Sequence, residues 1–282
     1  MNTVFIHTNN KQRVGAIIAK QAILDTTKNK NSIQVEFINV DEIPAFKNFA
    51  GKEYLFGGRV RSYNPKDLQS FTISRFMAPQ LMNFEGKAVV MDPDIFALSD
   101  ISELFTFDMG GKAVACCKKK DAWDTSVMLL DCGKLKHWNI EEILKQLEKK
   151  ELDYTELMSL KKEKSIKELP RVWNDLDTQT LETKMIHMTG RLTQPWKTGL
   201  PIDFTRNPMP KIFGIIPREL VHKILGKYDT HYKQHPNPEI EALFFKLAKR
   251  AYSEGSLTVD EIESEISSGY IRKDFKSIIG IN

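Results

Sequence analysis

No stretch of this chain approaches the run of about 18 uncharged apolar residues that a membrane-spanning helix requires. Its opening residues, MNTVFIHTNN, carry no basic segment ahead of a long apolar one. A membrane-embedded or exported protein is therefore not expected, and the chain is taken as soluble and cytoplasmic. Cysteine is scarce. Cys116, Cys117 and Cys132 are odd in number and lack metal-ligand spacing, and the adjacent pair ends an apolar run that begins at Ala113. They are expected to be reduced core thiols rather than a disulfide framework. A dominant charge is also missing: 41 basic residues face 37 acidic ones, a net +4 spread along the chain, which does not fit a nucleic-acid binder. The runs Lys118-Lys119-Lys120 and Lys161-Lys162-Glu163-Lys164 are taken as solvated faces, with peripheral membrane contact as the further role open to them.

What is present is enough apolar sequence, 41% of 282 residues, to bury a sizeable core in one large domain, with or without an appendage. Residues 3–6 form a short apolar strand ending in the polar turn His7-Thr8-Asn9-Asn10. Helical spacing follows through Val14, Ile17, Ile18, Ala22 and Ile23, then an alternating strand over 32–40, which together spell a β-α-β unit. Residues 41–70 are Gly-, Lys- and Arg-rich and aromatic. Phe71–Met82 is expected as an amphipathic helix with Ile73, Phe76, Met77 and Leu81 toward a core. The run Lys87-Ala-Val-Val-Met91 has the character of a strand buried on both faces. Strands over 113–117 and 126–131, a helical stretch from Ile140 to about Leu160, and a strand over 184–187 continue the alternation. A Gly-, Pro- and Thr-rich loop, 188–204, looks suited to closing over something. From Pro217 the pattern turns helical, including 239–252 and a capping-box pattern at Thr258 and Glu261. The expected division is a catalytic domain over 1–205 and a helical extension over 206–282.

The run Lys87–Met91 ends at Asp92-Pro93-Asp94. Ligands of open α/β sheets bind at the carboxyl ends of strands. Carboxylates at i and i+2 of an extended segment share one side, and the proline between them stiffens it, so together they can hold one metal ion. A divalent ion there would act as a Lewis acid toward a diphosphate leaving group. By itself such a pair more often caps a turn. A second pair, Asp175 and Asp177, has no apolar strand leading into it and is taken as a polar loop. Asp100 is assigned the N-cap of a helix starting at Ile101.

The blocks Phe71-Thr-Ile-Ser-Arg75-Phe-Met-Ala-Pro79 and Val89-Val-Met-Asp92-Pro-Asp94, continuing to Asp100-Ile-Ser-Glu-Leu-Phe105, together resemble glycosyltransferase family 8, which includes glycogenin and bacterial lipopolysaccharide galactosyltransferases. Three further blocks extend the resemblance over about residues 3–204. Thr8-Asn9, with Gly15-Ala16 after it, is similar to the family's nucleotide-base segment. Trp123-Asp124-Thr125-Ser126-Val127-Met128-Leu129 is similar to its Phe-Asn-x-Gly-Val-Met-Leu strand, with Asp124 standing for Asn. His187-Met-Thr189-Gly190 followed by Gln194-Pro195-Trp196 is similar to its His-x-x-Gly and Lys-Pro-Trp loop. Gln194 takes the place of a phosphate-binding Lys in a loop one residue longer, and Lys197 or Arg191 is the candidate to supply that charge. Asp153-Tyr154 is the nearest match to an Asp-Gln pair beside the donor sugar.

The resemblance implies an α/β GT-A fold, a mostly parallel central sheet flanked by helices, with the C-terminal helices as an appendage. It implies a retaining glycosyltransferase that moves a hexose from a UDP-sugar to a glycan, lipid or protein acceptor. It also implies Mn2+ or Mg2+ held by Asp92, Asp94 and His187, two carboxylates and an imidazole that suit manganese. By the same carry-over Thr8 and Asn9 hold the base, Arg75, Gly190 and Lys197 contact phosphate or ribose, and Asp124 with Asp153 orients the sugar. A nucleotide-sugar-binding protein without turnover and a sugar nucleotidyltransferase remain as alternatives. The second would want glycines between His7 and Arg13, where there are none.

Overall fold

The computed structural model describes residues 2–188, 190–206 and 229–281. Its centre is a six-stranded sheet of order β2-β1-β5-β8-β7-β9. The strands are β1 (Asn2–Thr8), β2 (Ile33–Asn39), β5 (Lys87–Met91), β7 (Val114–Lys119), β8 (Ala122–Asp131) and β9 (Ile166–Glu168). β1 pairs in parallel with β2 and β5, and β7 with β9, whereas β8 runs antiparallel to both its neighbours. The sheet is thus mixed. Two smaller sheets accompany it: the hairpin β3 (Glu53–Phe56) and β4 (Arg59–Ser62), and a ribbon of β6 (Ile95–Ala97), β10 (Asp175–Leu176) and β11 (Met185–His187).

Strand residues alternate between two apolar clusters. Val4, Ile6, Val89, Met91, Ala115, Cys117, Val127 and Leu129 belong to one, and Phe5, Ala88, Val90, Val114, Cys116, Met128 and Leu130 to the other. The period of two along a strand places neighbours on opposite faces, so burial on both faces removes the polar positions that a half-exposed strand would show. Cys116 and Cys117 therefore face away from each other. All three cysteines are free and buried, and burial pushes the thiols of Cys117 and Cys132 up to about 12.

The first face is covered by α1 (Arg13–Thr26) and the three C-terminal helices described below. The short α4 (Ser102–Phe105) adds Leu104 and Phe105 to that first cluster, and the second face is covered by α2 (Pro44–Phe49), the 3-10 segment Ser70–Met77, α3 (Ala78–Leu81) and α5 (Ile140–Glu148). Two expectations are corrected here. The stretch 71–82 is not one amphipathic α-helix: all eight residues of Ser70–Met77 are buried in a 3-10 turn, a single α-turn follows, and Leu81 is 47% exposed. Pro79 accounts for the change, because its missing N–H is tolerated only in the first turn of a helix. The stretch 140–160 is two helices, α5 and α6 (Tyr154–Met158), because Lys150 turns left-handed at φ 62° and the Asp153 side chain starts the second by accepting Thr155 N–H.

After residue 228 come α7 (Pro238–Ser253), α8 (Val259–Ser267), whose Thr258–Glu261 capping box is formed, and α9 (Phe275–Ile279). The helical pattern expected from Pro217 lies, up to residue 228, outside the described residues. Phe244 on α7 stacks on Trp196 at 4.8 Å and meets Phe96 edge-on at 5.6 Å. These helices thus share the cluster that includes β1 and α1. No helix among the described residues is long and apolar enough to cross a membrane.

Candidate active site

β1 sits between β2 and β5, and its connections leave in opposite directions along the sheet. Such a divergence opens a crevice at the carboxyl ends of the strands. His7 near the end of β1 and Asp92 just after β5 meet there, His7 Nε2 lying 2.6 Å from Asp92 Oδ1. Arg75, buried in the 3-10 segment, donates to the same oxygen at 2.8 Å and from Nε to Thr72 O at 2.9 Å, and also bonds Thr125 Oγ1. Two donors on Oδ1 leave Oδ2 to face a cation. Burial would raise the Asp92 carboxyl, but Arg75 and His7 outweigh it and hold Asp92 below the usual carboxylate range. Burial also pushes His7 below its ordinary value against the pull of Asp92, so the neutral ring gives its Nε2 proton to that bond.

Asp94 and His187 complete the group. β11 pairs antiparallel with β6, setting His187 opposite Ile95, and Met188 N–H bonds Asp94 O at 3.0 Å. One ligand atom from each of Asp92, Asp94 and His187 lies within 4.8 Å of the others. His187 Nε2 is 3.4 Å from Asp94 Oδ1. Its Nδ1 lies 2.8 Å from Asn174 Oδ1, which fixes the proton on Nδ1 and turns the Nε2 lone pair inward, as outer partners of metal-bound histidines do. Burial lowers the His187 pKa, and the carboxylates of Asp94, Asp92 and Asp124 more than reverse it. Asp94 Oδ1 is buried without a hydrogen bond. An orphaned carboxylate oxygen, a second carboxylate and an aimed imidazole fit a divalent ion.

The rest of the predicted site divides. Asp124 is 1% exposed and sits at a bulge in β8, where the pairing jumps from Cys116–Met128 to Cys117–Asp124. The bulge turns Thr125 and Ser126 toward Arg75 and Asp92, whose N–H bonds Ser126 O. Lys119 Nζ stands 3.0 Å and Arg171 3.5 Å from Asp124 Oδ2, as ion pairs lacking hydrogen-bond geometry. Burial raises the Asp124 carboxyl, and Lys119 outweighs it and holds it low. Asp153 is not brought to this group. Its carboxylate takes the N–H groups of Gly57, Gly58 and Thr155 at 3.0, 2.7 and 2.7 Å, tying the β3–β4 turn to α6. Thr8 and Asn9 are buried, and Asn9 Nδ2 bonds Asp67 O, Leu68 O and Ser70 Oγ. Gly15 is a contact of a different kind: a Cβ there would lie 2.8 Å from Pro93 O, so only glycine lets α1 pass this close to the acid pair.

In the loop after His187, Thr189 lies outside the described residues, and the Gly190 carbonyl accepts Thr193 N–H at 2.7 Å. Gln194, buried, bridges Gln12 and Asp94. Lys197 is fully buried 3.4 Å from Asp203, a carboxylate shared with Lys11 and the Tyr232 hydroxyl. Arg191 donates to Gln69. Asp175 accepts from Thr183 and Asp177 pairs with His235, so the second acid pair is spent on structure. His7, Asn174 and Gln12 are the site residues that motif reading passed over. Nothing in local spacing marks them, since each acts through a partner far away in the chain.

The family model "Glycosyl transferase family 8" matches residues 5–198. Among curated relatives, probable galacturonosyltransferase 14 of Arabidopsis thaliana is 31% identical over 85 residues, covering 29% of this chain and 16% of that protein. Probable galacturonosyltransferase 13 of the same plant is 26% identical over 118 residues, 41% and 22% of the two chains. The matched part of the chain therefore spans less than a quarter of either relative's length. Among solved structures, the glycosyltransferase GlyE of Streptococcus pneumoniae TIGR4 aligns over 96% of this chain and 64% of its own, at a TM-score of 0.51 and 12% identity. The galactosyltransferase LgtC aligns over 70% and 89%, at 0.47 and 15%. Matched over more than half of its residues, the chain belongs to glycosyl transferase family 8 and has the GT-A fold.

Proposed function

We propose that the protein moves a hexose from a UDP-sugar to a hydroxyl of a glycan, lipid or protein acceptor, with retention at the anomeric carbon, using Mn2+ or Mg2+ at Asp92, Asp94 and His187. The observation that carries this reading is the meeting of those three side chains, 95 residues apart in the chain at the widest, at the carboxyl edge of the sheet. A divalent cation bound there supplies Lewis acidity toward the departing diphosphate. The chain's own residues do the remaining work. His7 and Arg75 hold Asp92 ionised, and Asn174 holds the His187 ring. Thr8 and Asn9 shape the loop at 67–70 that walls the base, and Asp124 orients the donor sugar. Gly190 forms the turn over the diphosphate. Lys197 and Lys11, paired on Asp203, supply the positive charge that Gln194 does not. Asp153 acts at a distance by fixing α6 to the hairpin.

The test is release of UDP from UDP-glucose, UDP-galactose and UDP-galacturonic acid in the presence of Mn2+, the last included because two relatives are galacturonosyltransferases by name. One donor should be preferred. Asp92→Ala should lower its turnover on the order of 10²–10³-fold, the equivalent of several kcal/mol. Unchanged turnover in that variant would refute the assignment.

A further inference from the structure

Lys197, Lys11, Asp203 and Tyr232 form a polar cluster between the cation seat and the C-terminal helices. Lys197 Nζ, fully buried, is 3.4 Å from Asp203 Oδ2, Lys11 Nζ is 3.1 Å from the same oxygen, and the Tyr232 hydroxyl donates to Asp203 Oδ1 at 2.6 Å. Asp203 O accepts Leu68 N–H at 3.0 Å, which ties the cluster to the loop at 67–70. Lys197 N–H donates to Gln194 O at 2.9 Å, and the Gln194 side chain reaches Asp94. The turn Pro195–Lys197 is thus the link between the acid pair and the cluster. Its far side is held from beyond residue 198, where the family model ends. Arg272 N–H, in the segment before α9, donates to Trp196 O at 2.8 Å, and Phe244 stacks on the Trp196 ring.

One further group enters this region, from α8. Glu265 is 9% exposed, and its Oε2 is buried without a hydrogen-bond partner among the described residues. The charges that act on it are Arg13 at the start of α1, Lys197 in the turn, and Glu261 one turn earlier on its own helix. Arg13 is itself drawn to Glu261 at 3.2 Å. An ionised carboxylate left there without a hydrogen bond is unfavourable. Burial, with Glu261 adding to it and Arg13 and Lys197 opposing it, raises the Glu265 carboxyl to about 7.

We propose that Glu265 is a positioning residue for the donor diphosphate and acts through Lys197. Neutral, it leaves the ammonium groups of Lys197 and Lys11 to the diphosphate and Asp203. Ionised, it sets a second carboxylate against Lys197, which holds that ammonium back and adds a negative charge where the diphosphate is to bind. The inference rests on the transferase reading above, which gives Lys197 and Lys11 to the diphosphate. Coupling between two binding equilibria is reciprocal. A diphosphate that binds better beside the neutral acid therefore tightens the acid's hold on its proton, and binding above pH 7 takes a proton up.

Calorimetric titration of UDP into the full chain with saturating Mn2+ tests the proposal, at pH 6, 7 and 8 and in two buffers of different ionisation enthalpy. The proteins compared are the unaltered chain and Glu265→Gln, which keeps the shape of the neutral acid. A bound diphosphate that makes Glu265 about tenfold easier to protonate lowers the affinity of the unaltered protein, relative to that of the variant, roughly fivefold between pH 6 and pH 8. The same coupling gives an uptake of about 0.4 of a proton at pH 8 in the unaltered protein that the variant lacks. The proton count on the unaltered protein needs no variant to fold. Parallel pH profiles in the two proteins, no proton uptake by the unaltered protein at pH 8, or a variant weaker by the same factor at every pH overturns the proposal, the last being the mark of a merely structural side chain. Failure of the donor reading has its own signature, absence of Mn2+-dependent UDP binding to both proteins at every pH.

Discussion

Asp92 carries two donors on one oxygen, and His187 carries one acceptor on the nitrogen that faces away from the acids. Each leaves its free atom pointing at the same space, which is how buried polar partners set metal affinity without touching the metal. Asn174→Ala should therefore weaken Mn2+ binding by roughly 10–100-fold, read by calorimetry with Mn2+ as titrant. Unchanged affinity would mean that the ring is positioned by packing alone. At this scale the acid pair and His187 were legible, because two ordered blocks of sequence carry them. His7, Asn174 and the Asp92 bond of Arg75 were not, because a buried histidine, asparagine or arginine leaves no periodic trace. Asp153 shows the reverse: a carboxylate in the right order along the chain is spent on backbone N–H groups of a hairpin that sequence could not pair with it.

The elements around the site were legible where their burial repeats. β1, α1, β2 and β5 follow from their apolar spacing, and the Thr258–Glu261 box marks the start of α8. Where every position of a segment is buried, as at Ser70–Met77, amphipathic spacing carries no information and does not distinguish a 3-10 turn from an α-helix. α8 also contains a buried acid that spacing does not flag. Burial pushes the Glu265 carboxyl up to about 7, above its unfolded value, with Glu261 adding to the rise and Arg13 and Lys197 opposing it. A raised acid favours its protonated form in the fold, so this contribution to stability is intact below about pH 4.5 and is lost as pH rises through 7. Glu265→Gln should leave thermal stability unchanged near pH 4.5 and raise it at pH 8 by about 1–2 kcal/mol, discounted for solvent access from roughly 1.4 per pKa unit. A melting-temperature series across that range checks it, and a variant that parallels the parent at every pH would count against the assignment.

For the molecule as a whole, the two faces of one sheet bury two apolar clusters, and the C-terminal helices complete the first of them. Phe244 is the point of contact, 0% exposed and packed on Trp196, Phe96, Phe245 and Phe275. Phe244→Ala should cost about 3–5 kcal/mol in denaturant unfolding. A loss below about 1 kcal/mol would show the helices to be dispensable to the core. The helical character of this region was legible from composition, but its sharing of a cluster with β1 and α1 was not, because a contact between residues 196 and 244 is written nowhere in local pattern.

Donor binding is expected to depend on Asp92, Asp94 and His187 acting together as one cation seat. Calorimetric binding of UDP, with Mn2+ and then with chelator, to the unaltered protein and to Asp94→Asn and His187→Ala tests this most directly. Binding that requires Mn2+ and falls in both variants is the predicted result. UDP binding of equal strength with and without the metal, or unaffected in both variants, would contradict it.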